Sequence, residues 1–191
     1  MSKKTLVVAS GNKGKLKEIA EMLPEFNVVS YKDLGLDFEI EENGKTFFEN
    51  ALIKAKTVST ALNLPALADD SGLCVDALNG APGVFSARYA NTGIDEDNNA
   101  LLLKNLEGET NRKAKFVCSM VYYSPLGEII SAEGETYGEI LTKPQGKNGF
   151  GYDVVFYSTE INECFGLASS VAKNSVSHRA RALSKLKEKL I

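Results

Sequence analysis

Cysteine is scarce in this chain, and the three present, Cys74, Cys118 and Cys164, stand far apart with no Cys-x-x-Cys pair. An odd, scattered set excludes a disulfide framework and a thiolate zinc site, and it fits a reducing compartment. Long apolar runs are also missing: no stretch approaches the roughly 20 residues that a membrane helix needs. The basic opening Met1-Ser2-Lys3-Lys4 is followed only by the short apolar run 6–9, too short for a signal peptide. Excess positive charge is absent as well. Twenty-two Lys and Arg against 25 Asp and Glu leave a net charge of −3, so no general affinity for nucleic acid or an anionic membrane is expected. Repeats, low-complexity tracts and linkers are lacking too. A cytoplasmic protein with no membrane and no nucleic-acid partner is the expectation.

What remains is ordinary globular composition, 43% apolar and 25% charged, over 191 residues. That length suits a single domain, 1–191, folded as one body or as two lobes, with a sizeable core. The apolar run 5–9 predicts a buried strand. Leu16, Ile19, Ala20 and Leu23 recur at helical spacing over 15–23, ahead of Pro24. A short strand follows at 26–31, then an acidic loop to Gly44. Thr46 and Glu49 form a capping box opening a helix to about Asn63, with Ala51, Leu52, Ala55, Val58 and Leu62 on its buried face. A short strand over 66–68 completes an α/β opening. Next come a helix over 97–106 and two long β segments, 113–124 and 128–141, joined by a hairpin turn at Pro125-Leu126-Gly127. A loop over 143–151 leads to a last strand, 154–157. Ser177 caps a C-terminal helix burying Leu183, Leu186 and Leu190. The predicted architecture is α/β: a long curved mixed β-sheet flanked by helices, in two lobes with an active-site cleft between them.

Three charge arrangements and one aromatic bear on chemistry. Ser10, Gly11, Asn12, Lys13, Gly14 and Lys15 follow a strand and open a helix, with Lys13, Lys15 and Lys17 in its first turn. Cations there oppose the helix dipole, costing about 0.3–1 kcal/mol each, and a bound anion would remove the conflict. The spacing is not that of a Walker A loop, and a solvated lysine face after a turn would look the same. Asp69-Asp70-Ser71-Gly72 reads as an acidic turn after a buried strand. Two adjacent carboxylates there call for a cation or a proton; Mg²⁺, with Glu41 or Glu42 as remote partner, would serve. An ordinary surface turn accounts for the same four residues. His178, the only histidine, and Arg179 sit at a helix start against the dipole, as at a ligand edge or a solvated face. Phe150, set between Gly149 and Gly151, suits base stacking or a lid over the core. A metal–nucleotide ligand uses all four features at once.

On these residues the sequence resembles the inosine triphosphate pyrophosphatase family, which hydrolyses non-standard purine nucleoside triphosphates. The match runs through Ser10-Gly11-Asn12 with Lys15, Thr46-Phe47, Glu49-Asn50-Ala51, Lys54-Ala55, Ala68-Asp69-Asp70-Ser71-Gly72-Leu73, the 80–88 segment, Gly149-Phe150-Gly151-Tyr152-Asp153 and Ser177-His178-Arg179. It departs at Ser10, where many members carry threonine, and before Lys173, where acidic residues are missing; 158–172 is the least defined part. The resemblance implies that residues 10–15 with Lys54 hold the triphosphate. Asp70 would be general base and metal ligand, with Glu41 the second acidic ligand and Glu42 open by register. Ser71 would contact substrate. Phe150, Gly151, Tyr152, Asp153, Lys173, His178 and Arg179 would close around base and sugar-phosphate. It further implies Mg²⁺ dependence, a homodimer, and conversion of dITP, ITP or XTP to monophosphate and pyrophosphate. Two alternatives share some of these features: a purine-nucleotide-binding regulator without hydrolysis, and a pyrophosphatase for another modified or pyrimidine nucleotide.

Overall fold

The computed structural model describes residues 3–190; Met1 and Ser2 of the basic opening, and Ile191, lie outside the described residues. Seven strands form one sheet in the order β2-β1-β3-β4-β5-β6-β7. They are β1 (Lys4–Val8), β2 (Phe26–Ser30), β3 (Ala66–Val75), β4 (Lys113–Tyr123), β5 (Ile129–Ile140), β6 (Phe156–Ser158) and β7 (Glu163–Cys164). The helices are α1 (Lys13–Met22), α2 (Phe47–Leu62), α3 (Asp95–Asn105), α4 (Ser170–Val176) and α5 (His178–Leu190). β1 pairs in parallel with β2 and β3, while β5–β6 and β6–β7 are antiparallel, so the sheet is mixed as expected. The chain divides into two compact units, and β3, β4 and β5 each pass from one into the other.

The first unit comprises the described residues of 1–70, 118–134 and 180–191. Strand alternation sorts its core onto two faces. Val7, Ala66 and Ala68 pack with Ala51, Ala55 and Val58 of α2. Val8 and Leu67 pack with Ile19 and Leu23 beside α1, and with Ala182, Leu183 and Leu186 of α5. Apolar residues at helical spacing therefore did mark the inward faces, although Ala20 and Leu190 are exposed. Helix starts follow side-chain chemistry. Asn12 accepts from the Lys15 amide at 3.1 Å, and Thr46 from the Glu49 amide at 3.1 Å. Glu49 returns its bond to Lys45 N at 2.6 Å, one residue earlier than a regular capping box would place it. The hairpin at Pro125 is present: Gly127 N donates to Ser124 O at 2.9 Å, with Gly127 at a φ of 86° that favours glycine.

The second unit comprises residues 71–117 and 135–179. Its core joins Leu73 and Val75 of β3, Leu102 of α3, Phe116, Ile140, Tyr152, Phe156 and Phe165. α3 has no side-chain cap at Ile94, but Asp95, Glu96 and Asp97 fill its first turn, where negative charge complements the dipole.

Three sequence expectations need correction. Asp69-Asp70-Ser71-Gly72 is not a turn: β3 runs unbroken through all four to Val75. Aspartate, serine and glycine carry turn propensity, but burial within the sheet overrides it. The strand expected at 154–157 is β6 at Phe156–Ser158 and is not the last, since β7 follows at Glu163–Cys164. The undefined 158–172 region also opens α4, capped by Ser169 accepting from the Ala172 amide at 3.1 Å.

Candidate active site

In the first unit, charge gathers at the β3 residues Asp69 and Asp70. Successive side chains of a strand leave on opposite faces. Asp69 shares the Leu67 face, against α1, and Asp70 shares the Ala66 and Ala68 face, against α2. Each carboxylate meets a lysine of its own helix: Lys15 Nζ lies 3.1 Å from Asp69 Oδ2, and Lys54 Nζ 3.3 Å from Asp70 Oδ1. Lys54 also reaches Glu42 Oε2 at 3.1 Å, and Asn50, one turn earlier on α2, donates to Asp70 Oδ2 at 3.1 Å. Lys54, Asp69 and Asp70 are all buried.

Burial opposes charge on Lys54, but Asp70, Glu42 and Asp69 outweigh it and hold its pKa above the ordinary lysine value. Burial also pushes the Asp70 carboxyl above its ordinary value. Lys54, Lys15 and the Asn50 hydrogen bond pull it down, and Glu42 pushes it up. A raised pKa moves a carboxylate toward the range in which such groups accept protons in catalysis. Lys15 and Lys54 thus stand among three carboxylates, Asp69, Asp70 and Glu42. Glu41 is exposed, whereas Glu42 turns toward Lys54.

The 10–15 loop lies beside this cluster through Lys15. Ser10 Oγ accepts from the Asn12 amide at 3.1 Å, and Ser10 O accepts from Ser30 Oγ at 2.7 Å. Gly11, Asn12 and Lys13 are exposed, and Gly14 is half-buried. Both polar side chains thus shape the loop, leaving its tip open to solvent.

In the second unit, Asp153 organises the remaining candidates. Its Oδ2 accepts from the Phe150 amide at 2.9 Å and from Lys173 Nζ at 2.5 Å. Lys173 lies 5.0 Å from the Phe150 ring centre, and the Arg179 guanidinium carbon lies 5.7 Å from the same ring. Two cations thus lie within cation–π distance of one aromatic ring, contacts that strengthen as water is excluded. Arg179, 1% exposed, donates to Ser71 Oγ at 3.3 Å. It is therefore buried, not part of a solvated helix face. His178 is buried and stacks on Phe116, 4.8 Å between ring centres and 13° between planes. Tyr152 belongs to the core: its hydroxyl donates to Ser86 O at 2.7 Å, and burial pushes its pKa up strongly. Gly149 has a φ of 74°, and a Cβ there would collide with the Asp153 carboxylate.

Several contributors escaped the sequence reading. Asn50 has a legible signal, standing four residues before Lys54 on the same helix face. Ser86, which accepts nothing locally predictable but donates to Gly83 O and receives the Leu73 amide at 2.9 Å, has none. Asp95 and Asn99 reach Gly151 across more than 50 residues, again without a local signal.

Known proteins share this chain's sequence and fold. The Ham1 family model matches residues 6–189. A dITP/XTP pyrophosphatase of Geobacter sulfurreducens is 50% identical, over 97% of this chain and 96% of its own. One of Clostridium perfringens is 46% identical over 98% and 97%. Among solved structures, the Ham1 protein of Staphylococcus aureus superposes with a TM-score of 0.87 at 41% identity, covering 98% of both chains. A HAM1 protein from Coxiella burnetii gives 0.88 at 39%, again over 98% of both. Matched nearly end to end in both sequence and fold, this chain belongs to the Ham1 family.

Proposed function

We propose that this chain hydrolyses non-standard purine nucleoside triphosphates, dITP, ITP and XTP, to the monophosphate and pyrophosphate. The observation that carries the reading is Lys54, buried between Asp70 and Glu42 and backed by the Lys15–Asp69 pair. A charge cluster of this kind suits a triphosphate with its cation, and the relatives named dITP/XTP pyrophosphatase make the purine class the natural one.

The donor set suits a hard cation. Asp70 with Glu41 or Glu42 offers carboxylate oxygens, and Mg²⁺ takes one or two carboxylates while substrate phosphates and water complete its shell. Bound there, Mg²⁺ would supply charge neutralisation for the phosphate oxygens. The chain's own residues do the rest. Asp70 orients a water toward the α-phosphorus and accepts its proton. Lys15 and Lys54 turn from their carboxylates to the triphosphate and stabilise charge on departing pyrophosphate. The open 10–15 loop, at the positive end of α1, receives phosphate oxygens through Ser10, Gly11, Asn12, Lys13 and Gly14.

Phe150 offers its ring to the base, and Lys173, His178 and Arg179 act as donors toward a 6-keto group. Adenine, with an amino group there, leaves such donors unpaired. Ser71 contacts substrate through the hydroxyl that Arg179 holds. Asp153 holds Lys173 and the Phe150 amide in place, and Tyr152 anchors the loop through Ser86, so both act as supports. A homodimer in the cytoplasm is the expected setting. The three cysteines are free thiols, and among the described residues no helix is long and apolar enough to cross a membrane.

The test is purified protein with Mg²⁺ against dITP, XTP, GTP, ATP and dTTP, read for pyrophosphate and monophosphate. Pyrophosphate from dITP and XTP, with ATP poor, is the expected result. Orthophosphate with diphosphate would sink the chemistry, binding without product would indicate a regulator, and a preference for dTTP would overturn the base assignment.

A further inference from the structure

We infer that α3 is a positioning element for Phe150, acting through Asp95 and Asn99 on the backbone of Gly151, and that this hold sets how tightly the base is bound. The inference rests on the reading of Phe150 as the base contact. Four consecutive backbone groups around Phe150 are fixed. Phe150 N donates to Asp153 Oδ2 at 2.9 Å, and Phe150 O accepts from Asp153 N at 3.2 Å. Gly151 N donates to Asp95 Oδ2 at 2.7 Å, and Gly151 O accepts from Asn99 Nδ2 at 2.9 Å. Two of these bonds are local to the loop. The other two come from α3, more than 50 residues away in sequence.

Asn99 is a costly choice for its position. It is 5% exposed, and its Oδ1 is buried without a hydrogen-bond partner, so half of its amide is desolvated for nothing. An apolar side chain would occupy that helix face without this penalty. The other half explains its presence: Nδ2 bonds both Asp95 O at 2.9 Å and Gly151 O, tying the first turn of α3 to the loop. Gly151 itself has a φ of 60°, and a Cβ there would meet nothing. Conformation, not space, therefore calls for glycine, and a left-handed residue flanked by loop needs outside bonds to stay put. A loop held in its bound shape loses less conformational entropy when ligand arrives.

The experiment compares Asn99→Asp, Asp95→Ala, Asp95→Asn, Phe150→Leu and the Asn99→Asp/Phe150→Leu double variant, each checked by circular dichroism and melting temperature. With dITP and Mg²⁺, Asn99→Asp, which replaces a donor with an acceptor, raises KM about five- to tenfold, with kcat within about twofold. Asp95→Ala acts in the same direction, and Asp95→Asn, which keeps an acceptor, restores most of the affinity. Hydrogen exchange at the Gly151 amide rises in Asn99→Asp and Asp95→Ala. The double variant is no worse than Phe150→Leu alone, because both changes act through one ring. A wild-type KM and wild-type Gly151 exchange in Asn99→Asp overturn the inference, as do effects that multiply in the double variant. A wild-type KM for Phe150→Leu would instead overturn the base-contact reading, and the inference with it. A raised KM for Phe150→Leu beside a wild-type KM for Asn99→Asp overturns the inference alone.

Discussion

Asp69 and Asp70 are neighbours on β3 that serve opposite faces of the sheet: Asp69 is bound at 3.1 Å by Lys15 of α1, and Asp70 at 3.3 Å by Lys54 of α2. Adjacent carboxylates in a turn would repel each other and share one environment. A strand separates them and gives each its own counter-ion. The two remain electrostatically linked, since Lys54 feels Asp69 and Asp70 feels Lys15. This division of labour makes different predictions for the two residues.

Asp70→Asn keeps shape and removes the proton acceptor. Turnover of dITP should fall about 10²- to 10⁴-fold, the usual worth of a general base, with KM changed far less. Asp69→Asn should leave most of the turnover and chiefly alter KM, because it releases Lys15. Steady-state kinetics on both variants, with folding verified by circular dichroism, decides the assignment. Near wild-type kcat in Asp70→Asn would refute it.

Lys54→Met leaves Asp70 and Glu42 facing each other without their shared cation. Removing one partner of a buried ion pair costs about 3–5 kcal/mol, so the metal-free variant should unfold at distinctly lower urea. Added Mg²⁺ should then stabilise the variant more than the wild type, since the ion takes over part of the ammonium's role. Equal Mg²⁺ stabilisation of the two proteins would argue against a cation site at these carboxylates.

Gly149→Ala places a Cβ into the Asp153 carboxylate at a φ of 74°. Displacing that carboxylate loosens both the Phe150 amide and Lys173. KM for dITP should rise more than kcat falls, and stability should drop by about 1–3 kcal/mol, as for other strained backbone positions. Kinetics paired with urea melts measures both effects.

Cys74 provides a pH test in the second unit. Burial pushes its thiol above the ordinary value, Lys115 pulls it down and Glu135 pushes it up again. Only the thiolate is nucleophilic, so a raised pKa means slow alkylation at neutral pH. The rate should still be climbing about tenfold per pH unit beyond the ordinary thiol pKa of about 8.5. Cys118 and Cys164 are buried and should react only on unfolding. Iodoacetamide labelling followed by mass spectrometry gives the profile, and a plateau below pH 8 would contradict the shift.

Much of the fold was legible because its signals are local. Helix spacing at Ile19, Leu23, Ala51, Ala55 and Val58 marked buried faces correctly, and Thr46 announced α2 through its own hydroxyl. Residues 69–72 misled for the same reason: their composition is that of a turn, while their conformation is set by pairing in a sheet that no local window contains. α4 and β7 were missed because seven and two residues carry too little periodicity to register.

The sequence by itself determined which chemical groups are available: lysines at the start of α1, a carboxylate pair on β3, one aromatic between glycines, and the chain's one histidine beside an arginine at the start of the last helix. Those identities follow from residue type and spacing alone. Tertiary structure decided their partners. It split the Asp69-Asp70 pair between two helices, put Lys54 between Asp70 and Glu42, buried Arg179 against Ser71, and brought Asp95 and Asn99 to Gly151. Each of these is a long-range contact, fixed by strand alternation and core packing.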